Sequence, residues 1–512
     1  MTTRLALTWN VVANAAGRGW SAVLQFALTP FVLHLLGPEH FGFIGFAMTL
    51  TAVFSCLDQA VSPVLIRSLA QGRDGGAGAP AAADELRTLE VVSWCTALAV
   101  GGAIVITAPF LARHLMSDHG VMAMEERTRC IRLIGLWISA LWPGFLYGSA
   151  FVGLERQDLL VAVRAVLGTI GAVGGVLILW LVGPDLGLYL AWQAAASLLM
   201  SATLRATLTR IMPNGRKAGR FTISLLARSH RFALGNLLIG VSSMLLTQAP
   251  PLIIAKYRSL ADLSAYTLAA LLAQQGLTIL THPVLGTLLP RLVWMIGERN
   301  EERLVEAYHR WTSLVLSLIL PIAASLVWFP REIAGAWLGM ASPVVGAVAA
   351  LLPWIALGTL LNTAMSLPIL LQIASGWTRL SALKNLVAVA VLVPSLVMLV
   401  PGHGPLVAAW AWFGLNAGYY LFEVPLMHAR LLRGELWSWW LQRTLLPVVL
   451  VISAAAPIRL ALPSSMAPAA GAAAAIGSAA ALWIGQVILQ PGVRRDIAGF
   501  VRVLASLPGR RA

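Results

Sequence analysis

The first apolar segment of the chain carries its polar residues on a single helical face. Between residues 10 and 30 the spacing is four, four, three, four and four positions, and the residues are Asn10, Asn14, Arg18, Ser21, Gln25 and Thr29. Since a helix turns once every ~3.6 residues, this spacing places them in one stripe. An arginine and amides are costly to place against lipid tails, so the stripe predicts a face of positive charge and hydrogen-bonding groups that looks into protein or water. The alternative is that Arg18 snorkels to the headgroups as an anchor.

Three further apolar segments carry shorter polar stripes of the same kind. Their members are Thr51, Ser55, Asp58 and Ser62, then Asn236, Ser243 and Thr247, then Gln275, Thr278 and His282. Arg18 and Asp58 hold the only full charges on these faces, and each lies about 12 Å into the membrane at ~1.5 Å per residue, so the two could meet. Asp58 then either has a direct functional role or only neutralises Arg18 and fixes packing. His282 is either a proton or ligand group or a hydrogen-bonded core histidine.

The composition is that of a membrane protein. Of the 512 residues, 58% are hydrophobic and 11% are charged, and the mean hydropathy is +0.80, whereas a soluble domain has about 25% charged residues. The net charge of +15 does not indicate nucleic-acid binding, because the basic residues are scattered between apolar runs. Cys56, Cys95 and Cys130 have no metal-ligand spacing, so neither a metal site nor a disulfide framework is predicted.

The apolar runs predict about fourteen transmembrane helices, called spans 1 to 14 in chain order. They are 10–36, 41–69, 89–112, 131–153, 160–183, 186–211, 232–255, 262–290, 310–330, 343–374, 380–400, 404–427, 444–462 and 468–490. Segments that would be cytoplasmic if both termini are cytoplasmic hold 27 of the 36 Lys and Arg residues. The positive-inside rule therefore favours that orientation, with the four arginines of segment 113–132 as its main exception.

An internal repeat divides the predicted spans. A shift of about 220 residues along the chain, the kind of period that marks an internally repeated fold, aligns Asn14 with Asn236, Pro109 with Pro330, and Arg164 with Lys384, among other pairs. The repeat predicts two pseudo-symmetric six-helix lobes, 1–213 and 214–430, followed by 431–512 with two extra helices and a basic cytoplasmic tail. The fold class is thus an all-α polytopic membrane protein, and the two extra helices, which lack a polar stripe, are expected to be peripheral.

Outside the stripes, a few charged residues need an interpretation. Arg164 and Lys384 lie at the cytoplasmic starts of spans 5 and 11, where they either anchor the helices or flank an inner opening and attract a phosphate. Glu423, near the cytoplasmic end of span 12, is expected to reach the membrane interface. No phosphate-binding glycine loop, HExxH or nucleophile-elbow motif is present, and the pair Glu125 and Glu126 reads as solvated surface. The sequence therefore predicts no enzyme.

Several motifs resemble the polysaccharide transporter family, the O-antigen (Wzx-type) flippases of the multidrug/oligosaccharidyl-lipid/polysaccharide exporter superfamily. They are Asn14-x-x-Gly17-Arg18-Gly19, Pro30, Leu36-Gly37-Pro38-Glu39-x-Phe41-Gly42, Asp58 followed by Arg67-x-x-Ala70, and Gly153-Leu154-Glu155-Arg156 with Arg164. These motifs cover about a third of the chain. The sequence departs from the family where Gln59 and Ala60 follow the aspartate, a place at which the family often has glycine.

The resemblance implies a flippase that moves undecaprenyl-pyrophosphate-linked oligosaccharide from the cytoplasmic to the periplasmic leaflet of a bacterial inner membrane, for surface polysaccharide synthesis. Arg18 would meet the pyrophosphate, and Asp58 would hold Arg18 or titrate, coupling transport to a proton or sodium gradient without another cofactor. The sugar hydroxyls would bond to amides, and the predicted substrate path comprises Asn14, Arg18, Ser21, Gln25, Asp58, Arg164, Asn236, Gln275, His282, Asn362 and Lys384. Membrane lipid and polysaccharide polymerase or export proteins would be its partners.

Two other functions remain open at this stage. A multidrug or cation antiporter of the same superfamily would have the same number of helices, but it should place acidic residues in the cavity, whereas the clearest membrane charge here is Arg18. A polytopic membrane glycosyltransferase or polymerase would need a long periplasmic loop, and the predicted outer loops are short. The flippase is the first of these three hypotheses.

Overall fold

The structure is a computed structural model, and it describes most of the chain. The described residues are 2–55, 58–72, 79–117, 122–212, 221–279, 281–298, 300–377, 379–463, 468–489 and 494–495. Within these ranges, side chains are described except at 2–16, 18, 58–61, 71–72, 79–82, 223–239, 282–283, 286–287, 468–469 and 489. The ends of the helix bundle are called inner and outer after the predicted cytoplasmic and periplasmic sides.

Seventeen α-helices and one π-helical turn make up the described chain. They are α1 (Thr2–Ser55), α2 (Asp58–Gly72), α3 (Ala79–His114), α4 (Met124–Gly153), α5 (Gln157–Leu181), α6 (Leu186–Ile211), α7 (Ile223–Tyr257), α8 (Leu260–Thr278), α9 (Thr281–Gly297), α10 (Glu301–Trp328), α11 (Pro330–Leu338), α12 (Val345–Ala364), α13 (Ser366–Ala374), α14 (Arg379–His403), α15 (Leu406–Leu431), the π-helical turn (Ser438–Leu445), α16 (Leu446–Leu460) and α17 (Pro468–Leu489). Gly37 has a non-helical backbone, with φ of 78° and ψ of 171°, so α1 consists of two helices joined by a kink.

The all-helical membrane fold predicted from the sequence is confirmed. Every predicted span falls on one or two of these helices, and no strand occurs in the part of the chain that the structure describes. Nine of the described helical stretches are long and apolar enough to cross a bilayer. The remaining predicted spans fall on helices outside these nine stretches, such as α6, α8, α9 and α15.

The predicted repeat is visible in where the helices begin and end. Helix α4 corresponds to α12 with α13, α5 to α14, and α6 to α15, and both ends of each pair agree with the shift found in the sequence. The end of α1 and the start of α2 correspond in the same way to the end of α8 and the start of α9. Helix ends follow local signals such as caps, prolines and glycines. Their agreement between distant parts of the chain therefore supports two copies of one six-span arrangement.

The described fold divides into two compact units. The first unit comprises Met1–Thr267 and Asn385–Pro405, and the second comprises Leu268–Lys384 and Leu406–Ala512. Helix α4 is central to the first unit, where α2, α3 and α6 pack on it, and α10 is central to the second, where α12, α16 and α17 pack on it. The predicted lobes 1–213 and 214–430 and the extension 431–512 have other boundaries and stay a prediction.

The C-terminal helices are held to α10 by a few specific bonds. Trp328 Nε1 donates to the backbone oxygen of Ile452 at 2.8 Å. Trp439, in the π-helical turn, is fully buried and donates from Nε1 to Thr312 Oγ1 at 2.9 Å. Many other apolar side chains of α16 and α17, such as Leu450, remain exposed. The peripheral position expected from the sequence stays a prediction.

Two of the four arginines that break the positive-inside pattern have local partners at the outer end. Arg127 is buried, and its Nη1 donates to the backbone oxygen of Ser117 at 3.0 Å. Arg129 Nη2 donates to both carboxylate oxygens of Asp185, at 2.9 and 3.1 Å. Arg127 and Arg129 therefore stabilise the outer connections of the fold.

Replacing the helix cap Asp185→Ala is expected to destabilise the fold by about 1 kcal/mol at neutral pH. Asp185 Oδ1 accepts the first N–H groups of α6, from Gly187 at 2.5 Å and Leu188 at 3.2 Å. Burial opposes ionisation, but the bonds from Leu188, Arg129 and Gly187 outweigh it and hold the pKa of Asp185 below its usual range. Because the folded pKa is lowered, this stabilisation is lost as the pH falls through it. Thermal unfolding should separate the variant from wild type at neutral pH and bring them together in acid; equal midpoints at neutral pH would contradict this role.

Candidate functional site

Five members of the predicted substrate path lie outside the described side chains. Asn14 and Arg18 are on α1, Asp58 begins α2, Asn236 is on α7 and His282 is on α9. Their predicted roles, including a meeting of Arg18 with Asp58, remain predictions. The other six members are described, and they fall into several separate settings.

Ser21 and Gln25, two described members of the α1 stripe, lie beside the contact of α1 with α5. Trp20 Nε1 donates to Thr169 Oγ1 on α5 at 2.9 Å, so this side of α1 lies against α5. Ser21 is exposed, and its hydroxyl donates to the backbone oxygen of Gly17 at 3.1 Å. Gln25 is half-buried. A one-residue step turns a helix by about 100°, so Ser21 and Gln25 present a polar face beside the α5 contact.

Two amides of the second unit are predicted path members. Gln275 is half-buried on α8. Asn362 is exposed near the end of α12, and its Nδ2 donates to Oδ1 of Asn416 on α15 at 2.9 Å. Asn416 is fully buried and donates to the backbone oxygen of Trp412 at 2.8 Å. Asn416 therefore fixes the orientation of Asn362, a role that sequence reasoning missed, although an asparagine within an apolar span is itself a signal.

The basic pair related by the repeat has two different environments. Arg164 is exposed on α5, and its side chain passes over Gly148 of α4, where a Cβ would come within 2.5 Å of Nη2. Lys384 on α14 is mostly buried and forms an ion pair with Glu423 of α15. Arg164 therefore lies where it can reach a ligand at the surface of the first unit, and Lys384 lies inside, held by a carboxylate.

The expectation that Glu423 reaches the membrane interface is wrong. Its side chain is 2% exposed, and Gln372 Nε2 donates to its Oε1 at 2.8 Å while Lys384 bonds to Oε2. Ser381 completes the arrangement by donating to Gln372 Oε1 at 3.1 Å. A carboxylate can be buried in an apolar interior when an ion pair and hydrogen bonds replace its water. Lys384 and Gln372 supply these bonds, so Glu423 is stable inside the second unit.

The second unit thus holds a connected polar network on three helices. It consists of Lys384 and Ser381 on α14, Gln372 on α13 and Glu423 on α15, and Lys384 Nζ also lies 4.3 Å from the centre of the Tyr419 ring. Every polar group named here has a partner, so the network is pre-arranged. Only Lys384 was recognised from the sequence as a candidate site residue.

A tight contact joins α1 and α8 at the outer end of the first unit. A Cβ at Gly45 would lie 2.6 Å from Thr267 Oγ1 and 3.4 Å from Thr267 Cβ. Nearby, Ser117 donates from its backbone N–H to Ala255 at 3.0 Å and from its hydroxyl to the backbone oxygen of Arg258 at 2.7 Å. These bonds connect residues that the repeat assigns to its first copy with residues of its second copy. The first unit is therefore closed between the two copies at its outer end.

The described residues form no cluster of three or more metal-ligating side chains of the His, Cys, Asp or Glu type. The arrangement instead offers cations, amides and hydroxyls within apolar helices. Such groups can replace the water around a charged or hydroxyl-rich solute by hydrogen bonds, and they can do so without breaking a covalent bond.

Sequence comparison identifies similar proteins. The family model described as polysaccharide biosynthesis protein matches residues 7–295, which is more than half of the chain. The chain is 26% identical over 360 residues to the succinoglycan biosynthesis transport protein ExoT of Rhizobium meliloti (strain 1021). That alignment covers 67% of this chain and 64% of the relative, so the chain spans less than two thirds of that protein.

Structural comparison identifies the fold. The lipid II flippase MurJ in an inward closed conformation matches with a TM-score of 0.72 and 12% identity, over 94% of this chain and 99% of that protein. An inward-facing multidrug resistance MATE family transporter of the MOP superfamily matches with a TM-score of 0.60 and 14% identity, over 80% of this chain and 96% of that protein. At these identities the likeness shows a shared fold.

Proposed function

The chain belongs to the family of polysaccharide biosynthesis proteins, and on that premise we propose that it is a flippase for undecaprenyl-pyrophosphate-linked oligosaccharide. The lipid would move from the cytoplasmic to the periplasmic leaflet of a bacterial inner membrane, where both termini of the protein would be cytoplasmic. The observation that carries the proposal is the set of cationic and amide side chains placed along otherwise apolar helices. The transport named for the succinoglycan relative, and the flippase fold, point the same way.

The chemistry of the substrate explains why such side chains are needed. A pyrophosphate with attached sugars cannot cross hydrocarbon unaided, because its charges and hydroxyls would lose their water. Arg18 would pair with the pyrophosphate, since a guanidinium can bond two phosphate oxygens at once. Gln25, Gln275 and Asn362 would bond to sugar hydroxyls, and the polyprenyl tail would stay in the bilayer.

Alternating access requires an outer end that can close and open. The contact of Gly45 with Thr267 and the bonds of Ser117 to the end of α7 supply a closed outer end in the first unit. Release of the lipid to the periplasmic leaflet would then need these contacts to separate. Coupling to a proton or sodium gradient would involve Asp58, and polysaccharide polymerase or export proteins would take over the product.

A multidrug or cation antiporter is the second candidate, and the likeness to the MATE transporter fold favours it. Cationic drugs call for an uncompensated carboxylate in the cavity. The buried Glu423 is instead neutralised by Lys384. This pairing leaves Glu423 unavailable as the carboxylate that a cationic drug would need.

Replacing Arg18→Ala is expected to reduce flipping by at least about tenfold, because one charge-assisted phosphate bond is worth about 1.5–3 kcal/mol. Movement of a labelled undecaprenyl-pyrophosphate oligosaccharide would be measured in membrane vesicles of known orientation at matched protein levels. Arg18→Lys should restore part of the rate, and Arg210→Ala, at an exposed site on α6, serves as a control that leaves it unchanged. Normal transport by Arg18→Ala would show that the arginine is an anchor, and wild-type protein that moves cationic dyes but no such lipid would support the antiporter.

A further inference from the structure

Two arginines converge on one buried carboxylate at the inner end of the first unit. Glu90 on α3 has a side chain that is 11% exposed. Arg87 Nη1 donates to its Oε2 at 2.7 Å, and Arg205 Nε, from α6, donates to its Oε1 at 2.5 Å. Tyr147 on α4 donates its hydroxyl to Oε1 at 2.8 Å. The cluster of Arg87, Glu90, Tyr147 and Arg205 contains no member of the predicted substrate path, and the proposed function does not use it.

The carboxylate fixes the arginines without using up their hydrogen-bonding capacity. Glu90 takes one donor atom from each guanidinium, which carries five N–H groups in all. The arginine side chains remain 42% and 52% exposed. Behind them, Trp94 Nε1 donates to the Tyr147 hydroxyl at 3.0 Å, so the tyrosine that supports Glu90 is itself held. Glu90 and Tyr147 therefore hold two guanidinium groups in fixed positions at the surface of the inner end.

Apolar side chains continue from the two arginines toward the middle of the membrane. Leu198 lies seven residues before Arg205 on α6 and Leu98 lies eleven residues after Arg87 on α3, which are spacings that keep each pair on one helical face. Leu98 is 61% exposed and Leu198 is 50% exposed. The surface formed by α3 and α6 is thus cationic at its inner end and apolar toward the middle of the membrane. A lipid of the cytoplasmic leaflet has its polar headgroup and its acyl chains in the same order.

The net charge of the cluster indicates which lipid it fits. Two guanidinium groups and one carboxylate leave a single positive charge, which complements the one negative charge of a phosphodiester. A pyrophosphate carries more negative charge than this cluster offsets. The repeat copy has no such arrangement, since the shift that relates the copies places Pro425, Leu426 or Met427 at the position of Arg205. The fold can therefore form this region without the cluster, which argues for a role beyond packing.

We propose that Arg87 and Arg205 bind the phosphate of an anionic phospholipid of the cytoplasmic leaflet, whose acyl chain lies along α3 and α6. Glu90 and Tyr147 act as positioning residues that hold the guanidinium groups toward the headgroup. Because this lipid would bridge α3 and α6, its binding stabilises the first unit. The site is independent of the proposed substrate and would operate whatever the protein transports.

The test compares purified full-length protein in phosphatidylcholine nanodiscs with and without phosphatidylglycerol. Wild-type protein should unfold at a higher temperature with phosphatidylglycerol and should retain it through purification. The variant Arg87→Gln/Glu90→Gln/Arg205→Gln, which leaves no buried charge unpaired, should bind phosphatidylglycerol about tenfold more weakly or worse. Arg210→Gln, an exposed arginine on the same helix α6, is the matched control and should respond as wild type does.

Glu90→Gln keeps the proposal testable if the triple variant does not fold. This variant retains both guanidinium groups and keeps one oxygen that can accept a bond from them, so its unfolding temperature should still rise with phosphatidylglycerol, and salt should weaken this response. A second arm adds undecaprenyl pyrophosphate to phosphatidylcholine nanodiscs, and a third adds inorganic phosphate. The assignment would be overturned if wild-type protein unfolded at the same temperature with and without phosphatidylglycerol. It would also be overturned if either additive raised the unfolding temperature as much as phosphatidylglycerol does, and only when the arginines are present.

Discussion

A disulfide between positions 45 and 267 is expected to stop transport of the lipid-linked oligosaccharide completely and reversibly. In the structure a Cβ on Gly45 would lie 3.4 Å from Thr267 Cβ, close to the separation of about 3.5–4.5 Å found in disulfides. The variant Gly45→Cys/Thr267→Cys, made in a background without Cys56, Cys95 and Cys130, should therefore crosslink on mild oxidation. A covalent bond at the outer end would hold the two copies of the repeat together there, and the substrate could not leave.

The controls separate the crosslink from the substitutions. Thr267→Cys alone is a small change at a half-buried position and cannot crosslink, so it should transport with or without oxidant. Reduction of the double variant should restore its rate. If the crosslinked protein still flips lipid at the rate of the reduced form, the contact between α1 and α8 is a fixed part of the fold and the outer opening lies elsewhere. Crosslinking is detected on gels independently of transport, so the contact can hold even where the flippase proposal fails.

Removing one partner of the buried ion pair is expected to cost far more than removing both. Lys384→Met leaves the Glu423 carboxylate, which is 2% exposed, without its cation, and such a change typically destabilises a protein by about 3–5 kcal/mol. The paired variant Lys384→Met/Glu423→Gln removes both charges and keeps an oxygen to accept the Gln372 bond. Thermal unfolding should place the paired variant near wild type and the single variant well below it.

The same paired variant decides what the network is for. A stable protein that no longer flips lipid would support Lys384 as a substrate contact, since the fold survives without the charges. A stable protein with normal transport would show that the ion pair only joins α14 to α15. Gln372→Leu is the matched control for packing, because it removes a hydrogen bond at the same place and leaves both charges. Equal stability of the single and paired variants would contradict the ion pair itself.

The sequence by itself determined the fold class and the order of its helices. Apolar runs long enough to span a bilayer are a local property, because every backbone group within hydrocarbon must find its partner in the same helix. The same local signals recur at helix ends, which is why the repeat read from single residues such as Asn14 and Asn236 reappears in the bounds of α5 and α14. The family likewise follows from motifs that lie close together in the chain.

Tertiary structure decided how each polar residue is surrounded. Lys384 and Arg164 look equivalent in the sequence, but Lys384 lies buried where α15 brings Glu423 to it, while Arg164 lies exposed on α5. The position of Glu423 near the end of its span predicts that it reaches the interface. The partners that bury it, Gln372 and Lys384, lie on other helices, and its position in the sequence does not identify them. The sequence does not predict the close contact of Gly45 with Thr267 either, because glycine spacing within one helix does not identify the helix that packs against it. Periodicity assigns a residue to a face, whereas the identity of its partner depends on packing between distant segments.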